Sequence, residues 1–398
     1  MSVPFDTLTA QYPTPFYVFD RAGFVDNYTA LRGAMGAVYP KYEICYSYKT
    51  NYTPYICRLV KELGGYAEVV SDMEYTLARK LGYENEKIVY NGPDKGPLMD
   101  EHLLRGGIVN LDSLDEARRA AALARQTGKP LGVGLRINLD VGGNFISRFG
   151  LEPGSDDLNE ALAVLRQAGV QLRGLHCHIS RCRGLEAWAK RAQIMLAAAR
   201  AYFPEGKPDY ISLGSGMFAD MEPALKAQFD NVPTYEQYAE ATLRPFRDFY
   251  GEDGPAIFTE PGTTVVARYL SFVSTVTSVK EVRGRCLANL DGSYENLGEV
   301  CTMKRLPLTR LPGGAGKHYD SIDLMGYTCL EQDLMYPGYR GELAVGDRLV
   351  FGNTGGYSVV SKPQFIRPNC RMLAWERTGA REIMRPETFE DVFDKFVF

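Results

Sequence analysis

From about residue 43 to 262, short apolar runs alternate with longer amphipathic ones. The strand-like runs are EICYSYK (43–49), YAEVVS (66–71), KIVYNG (87–92), GIVNLDS (107–113), LGVGLRINLD (131–140), LRGLHCHIS (172–180), DYISLGSG (209–216) and AIFTEPG (256–262). Between them, MEYTLARKLG (73–82), LDEARRAAALARQTG (114–128), LNEALAVLRQAG (158–169) and LEAWAKRAQIMLAAARAYF (185–203) carry helical spacing. Strands alternating with helices imply a parallel sheet, and eight such units predict a closed (β/α)8 barrel, an α/β fold. A doubly wound open sheet is the alternative. After residue 265 the texture turns β-rich and is punctuated by Gly and Pro, as in LSFVSTVTSVKEV (270–282) and GDRLVFGN (346–353). The pattern predicts a barrel over 25–265 and a C-terminal all-β domain over 266–398. Residues 1–24 are expected to join that β domain through the isolated strand TPFYVFD (14–20).

In a (β/α)8 barrel the chemistry gathers at the C-terminal ends of the strands, while strand interiors pack. Polar residues fall at those ends here. Lys49 closes the first predicted strand, Glu68 nears the end of the second, and Asn91 and Asp112 close the third and fourth. Arg136 is in the fifth, His178 ends the sixth, Gly214-Ser215-Gly216 the seventh and Glu260 the eighth. A lysine ending an apolar strand commonly just snorkels to solvent. At a barrel mouth, desolvation frees its amine as a nucleophile, which makes Lys49 a Schiff-base candidate. The glycine loop is either a plain turn or a place where backbone N–H groups approach a phosphate. His176 and His178 are expected to face opposite sides of their strand, so that they do not form a metal pair.

Composition narrows the classes. The 398 residues are 45% hydrophobic and 24% charged, with a net charge of −4. That slight acidity argues against nucleic acid as the main partner, since binding phosphate backbones calls for a basic face, so none is expected. Eight cysteines without a C-x-x-C pair read as free thiols. The N-terminus lacks the basic and apolar regions of a signal peptide, and no run approaches the roughly 18 to 20 apolar residues of a membrane span. The cytoplasm is the expected location.

The motifs YSYKTN, AEVVS, YNGPDK, LRIN, SRFGL, GLHCHIS, LGSG, TEPG, YTCLEQD and NTGGYS stand in this order along nearly the whole chain. In this the chain resembles the fold-type III decarboxylases that depend on pyridoxal 5′-phosphate (PLP), the group of diaminopimelate, ornithine and biosynthetic arginine decarboxylases. The resemblance implies that Lys49 forms the internal aldimine with PLP, and that an amino acid or amino-acid conjugate loses CO2 through a quinonoid intermediate. It implies that His178 stacks on the pyridine ring and that Glu260 pairs with the ring nitrogen, keeping it protonated and a better electron sink. Gly214, Ser215, Gly216 and Gly262 would hold the phosphate, with Tyr357 adding a hydroxyl, and Glu68 and Arg136 would lie near the ring. Cys329 would reach in from the second subunit of a homodimer with shared active sites and protonate the product carbanion or the lysine-side intermediate.

Four positions depart from the family. Thr263 replaces an arginine that grips the phosphate after Glu-Pro-Gly. Ser180-Arg181 replaces a Gly-Ser pair; Arg181 is expected to supply the phosphate charge that Thr263 lacks, the alternative being that Arg181 or Arg183 faces solvent or reads a substrate carboxylate. Leu330, followed by Glu331, stands where an acidic residue reads a distal amino group. Glu299 falls by count where diaminopimelate decarboxylases carry an arginine for the second carboxylate. The substrate half of the site therefore matches none of the well-known members, and a specialised biosynthetic role is expected. Two other readings compete. A racemase of the same fold would set an arginine, not Glu260, against the ring nitrogen. A non-catalytic partner-binding relative would have no reason to keep Lys49, His178, Glu260, Cys329 and Tyr357 together.

Overall fold

A computed structural model describes residues 3–142 and 146–397. The chain forms two compact units, one of residues 29–218 and 231–264, the other of residues 1–28, 219–230 and 265–398.

The second unit includes β1 (Phe16–Asp20). The first is a closed barrel of eight strands: β2 (Tyr42–Ser47), β3 (Tyr66–Val69), β4 (Ile88–Tyr90), β5 (Ile108–Leu111), β6 (Gly132–Arg136), β7 (Gln171–His176), β8 (Tyr210–Ser212) and β9 (Ala256–Thr259). All neighbours run parallel, and β9 returns to β2 through Tyr42–Ile257 and Ile44–Thr259. These are the eight strands read from the alternation of apolar and amphipathic runs, so the open-sheet alternative falls. Each stops short of the predicted end. Ladder pairing between β2 and β3 ends at Ser47 opposite Glu68, and Lys49 lies in the 3-10 turn Tyr48–Thr50 that follows. β8 stops at Ser212 because Gly214 (φ +64°) and Gly216 (φ +107°) adopt left-handed backbone that cannot continue a strand.

Helix starts follow side-chain chemistry. Ser71, Ser113 and Ser155 each accept the backbone N–H three residues on, and Thr234 opens Tyr235–Tyr250 with a reciprocal capping box to Gln237. The helix Leu185–Tyr202 buries Trp188, Arg191, Ala192, Met195, Ala198 and Ala199 as one stripe. Arginine at such a position is unusual.

In the other unit, β10 (Leu270–Val282), β11 (Arg285–Leu290), β12 (Leu308–Leu311), β13 (Lys317–Met325), β14 (Leu334–Leu343), β15 (Arg348–Phe351), β16 (Arg371–Glu376) and β17 (Gly379–Met384) form one sheet with β1. β1 sits antiparallel to β10 and parallel to β16, so the N-terminal strand joins the C-terminal sheet. Leu8, Phe16, Val18, Val273, Val350 and Leu373 pack as its core. Residues 219–230 group with this unit, tied by the Asp220–Arg268 ion pair and by Lys304 Nζ donating to Gln228 O at 2.6 Å. No described helix is long and apolar enough to cross a membrane.

Candidate active site

The polar residues at the barrel mouth form one hydrogen-bonded network. Lys49 Nζ stands 2.9 Å from Glu68 Oε2 and 3.2 Å from Oε1; the lysine side chain is 32% exposed and the glutamate 1%. Ser47 Oγ also donates to Glu68 Oε2, at 2.5 Å. The Asn91 amide then bridges two buried carboxylates, donating to Glu68 Oε1 at 3.1 Å and to Glu260 Oε1 at 3.0 Å. Asn91 Oδ1 accepts from Asn110 at 2.8 Å, and Asn110 Oδ1 accepts from Tyr210 at 2.7 Å. A relay drawn from β4, β5 and β8 thus fixes which way the Asn91 amide faces, and through it the spacing of the two carboxylates. Satisfied buried networks of this kind hold side chains in single rotamers.

Glu260 follows β9 and is 1% exposed. It also accepts from Ser212 Oγ at 2.6 Å and lies 3.1 Å from His176 Nε2. Burial is the largest single influence and pushes its acid up, but His176, His178 and Lys49 together outweigh it, and the carboxyl is held well below the usual range. The carboxylate is therefore ionised at any working pH. His178 is the opposite case. Burial first, then the Lys49 charge, hold its pKa well below 6.5. Its Nδ1 accepts the Ser215 N–H at 3.2 Å, which puts the proton of the neutral ring on Nε2. A neutral imidazole can stack on a cationic ring without repelling it.

The expectation that His176 and His178 face opposite sides is overturned. Side chains two residues apart in a strand share a face, and β7 ends at His176. Both rings address the site, one on Glu260 and the other beside Ser215.

Arg136, at the end of β6, is 6% exposed; it pairs with Asp112 Oδ1 at 3.1 Å, donates to His178 O at 3.4 Å and stacks over Phe149. Gly214 leaves no room for a side chain, since a Cβ there would come within 2.3 Å of Cys177 O. A Cβ on Gly262 would come within 1.9 Å of Thr50 Oγ1. Thr263 opens the short helix Thr263–Val266. Arg181 is exposed at φ +69°. The buried arginine at the glycine loop is instead Arg191, whose Nη1 donates to Leu213 O at 2.8 Å and Ser215 O at 2.9 Å.

The remaining sequence-derived residues belong to the β unit. Cys329 is exposed on the loop between β13 and β14 and, with Leu330 and Glu331, lines a cavity of about 460 Å³. Asp333 holds that loop by accepting from Ser293, Tyr294 N, Thr328 N and Thr328 Oγ1. Tyr357 and Glu299 line another cavity, of about 370 Å³. Tyr357 has φ +57° and Asn353 φ +60°, backbone strain of the kind that clusters at functional sites.

The donor set at the barrel mouth suits PLP. It combines a reachable amine, an ionised buried carboxylate for a pyridinium nitrogen, a neutral imidazole and a loop whose glycines keep a cradle open. Sequence reasoning missed Ser47, Asn110, Tyr210, Ser212 and Arg191 as contributors. Signal existed for the arginine alone, a charge on the buried stripe of an amphipathic helix.

Residues 27–267 match the family model described as "Pyridoxal-dependent decarboxylase, pyridoxal binding domain". A probable chloroplastic diaminopimelate decarboxylase of rice (Oryza sativa subsp. japonica) is 27% identical over 98% of this chain and 81% of its own length. The diaminopimelate decarboxylase of Bacillus subtilis is 26% identical over 97% and 92%. The crystal structure of diaminopimelate decarboxylase from M. jannaschii, in complex with L-lysine, superposes with a TM-score of 0.86 at 23% identity, covering 98% of this chain and 94% of that one. With a lysine, two oriented carboxylates and a glycine loop at the barrel mouth, and a family match over most of the barrel, the chain belongs to the pyridoxal-dependent decarboxylases and is a PLP-dependent amino-acid carboxy-lyase.

Proposed function

We propose that this protein decarboxylates an amino acid other than free diaminopimelate, ornithine or arginine, at sites shared between two copies of the chain. The observation that carries the site assignment is the Lys49–Glu68–Asn91–Glu260 network, which aligns one amine and one ionised carboxylate at a single mouth. When bound, PLP supplies the electron sink for the pair left as CO2 departs. Glu260, fixed by Ser212, His176 and Asn91, holds a proton at the ring nitrogen. Glu68 takes the Lys49 ammonium proton's partner role and keeps the amine aimed into the mouth. His178, neutral and accepting the Ser215 N–H, would cover a ring face, while the glycine loop Gly214-Ser215-Gly216 would leave room for the phosphate.

The sharing of sites rests on Cys329. Its loop is rigidly braced by Asp333 yet presents the thiol outward, as a group meant for another copy would be presented. Mixing Lys49→Ala with Cys329→Ala subunits, each inactive alone, is expected to restore up to about a quarter of wild-type activity, the random-pairing limit for dimers with one intact site of two. No recovery despite demonstrated subunit exchange would show that Cys329 acts within its own chain or not at all. The eight unpaired thiols suit a reducing, cytoplasmic compartment.

The relatives named above act on diaminopimelate, but Glu299 here would repel a second substrate carboxylate, and Leu330 offers no charge to a distal ammonium. CO2 release measured over diaminopimelate, lysine, ornithine, arginine and acylated or citryl-type amino-acid conjugates tests the substrate class. Fastest turnover on diaminopimelate, ornithine or arginine would sink the substrate reading and leave the site assignment standing.

A further inference from the structure

Arg191 is fully buried, and among the described residues no carboxylate lies within ion-pair distance of its guanidinium. It stacks over Trp188, 4.0 Å from the ring, and its Nε has no hydrogen-bond partner. Burial works against its ionisation, yet a guanidinium stays charged in proteins. A buried, unneutralised charge is costly unless an anion completes it.

Its hydrogen bonds show where that anion would sit. Nη1 donates to the carbonyls of Leu213 and Ser215, and Nη2 to Ile179 O at 3.3 Å. In a trans peptide the C=O and the next N–H point in opposite directions. Drawing the Leu213 and Ser215 carbonyls back toward Arg191 therefore turns the N–H groups of Gly214 and Gly216 away from it, that of Gly214 onto Ser212 Oγ at 3.4 Å. The same side chain fixes the loop's peptides and places a positive charge behind them.

We propose that Arg191 is a positioning residue for the cofactor phosphate, supplying from beneath the loop the charge that the resemblance expects from an arginine at Thr263. The inference rests on the reading that Gly214-Ser215-Gly216 holds the phosphate. It replaces Arg181, which is exposed, as the source of that charge. Contact is indirect: the guanidinium acts through the loop peptides and through its field, which the surrounding burial leaves little screened.

The test compares the dissociation constants of PLP and of pyridoxal, which lacks the phosphate, for apoprotein variants. Arg191→Gln keeps amide donors for the carbonyls and removes the charge. It is expected to weaken PLP at least about tenfold and pyridoxal less than about threefold, the size of a lost charge-assisted contact. Adding Thr263→Arg to that variant is expected to recover most of the PLP affinity. Equal weakening of both ligands, or none, overturns the proposal. Should Arg191→Gln fail to fold by circular dichroism, Thr263→Arg in the otherwise unaltered protein decides. With a charge already serving the phosphate it tightens PLP by less than about threefold, whereas tightening of about tenfold or more shows a site that lacked one and overturns the proposal. Ser215→Asp separates the underlying reading: it weakens PLP, but not pyridoxal, if the loop holds phosphate. An unchanged PLP affinity in Ser215→Asp overturns the loop assignment, and with it the role of Arg191.

Discussion

Lys49→Ala is expected to lower turnover by at least about 10³-fold, about 4 kcal/mol of barrel-mouth chemistry. The basis is that no second amine stands ready. The other lysine buried nearest this motif region, Lys95, is fully enclosed, with Nζ 2.7 Å from Glu116 Oε2 and 2.7 Å from Gly92 O. Releasing it would break its ion pair with the half-buried Glu116. Lys49 by contrast is partly exposed, with Nζ 2.9 Å from Glu68 Oε2 at the barrel mouth. Borohydride reduction of the wild-type holoenzyme, followed by digestion and mass spectrometry, should place the cofactor label on Lys49. A label on Lys95 or any other lysine, or on none, would end the assignment.

Glu260→Gln is expected to reduce kcat by about 10²-fold or more, roughly 3 kcal/mol, while PLP affinity changes much less, because the proposed phosphate site is the loop Gly214-Ser215-Gly216. The substitution is nearly isosteric, so Ser212 and Asn91 can still donate to the remaining amide oxygen. What it removes is the negative charge that would keep a proton on the ring nitrogen, and it sets an amide N–H against His176 Nε2. A kcat within threefold of wild type would mean that Glu260 does not partner the ring nitrogen. The acid range gives a second check. Because the folded-state acid of Glu260 lies below the ordinary value of 4.5, its ionised form contributes stability that is present above that value and is lost as pH falls through the depressed one. Wild type should therefore lose more stability than Glu260→Gln on acidification below pH 4.5, measured by thermal melting.

The sequence by itself determined the strand and helix alternation, and with it the barrel, because side-chain periodicity is a local property that burial of one face enforces. It also showed Lys49, Glu68, His178 and Glu260 at strand ends, where a barrel can only build its site at one rim. The join of β1 to the C-terminal sheet was legible as an apolar strand with no barrel partner. What the tertiary structure decided was how those side chains meet. Tyr210, Asn110 and Asn91 come from three strands and carry no shared sequence spacing, so their relay to Glu68 and Glu260 exists only once the barrel closes. The two histidines were misjudged by a wrong period, since residues two apart in a strand share a face and the sequence alone already placed both on one side. Arg181 looked like the phosphate's cation because it follows His178 closely along the chain. Arg191, ten residues further on, reaches the loop because helix packing turns its stripe inward, and burial in a fold depends on what packs opposite a residue rather than on its neighbours in sequence.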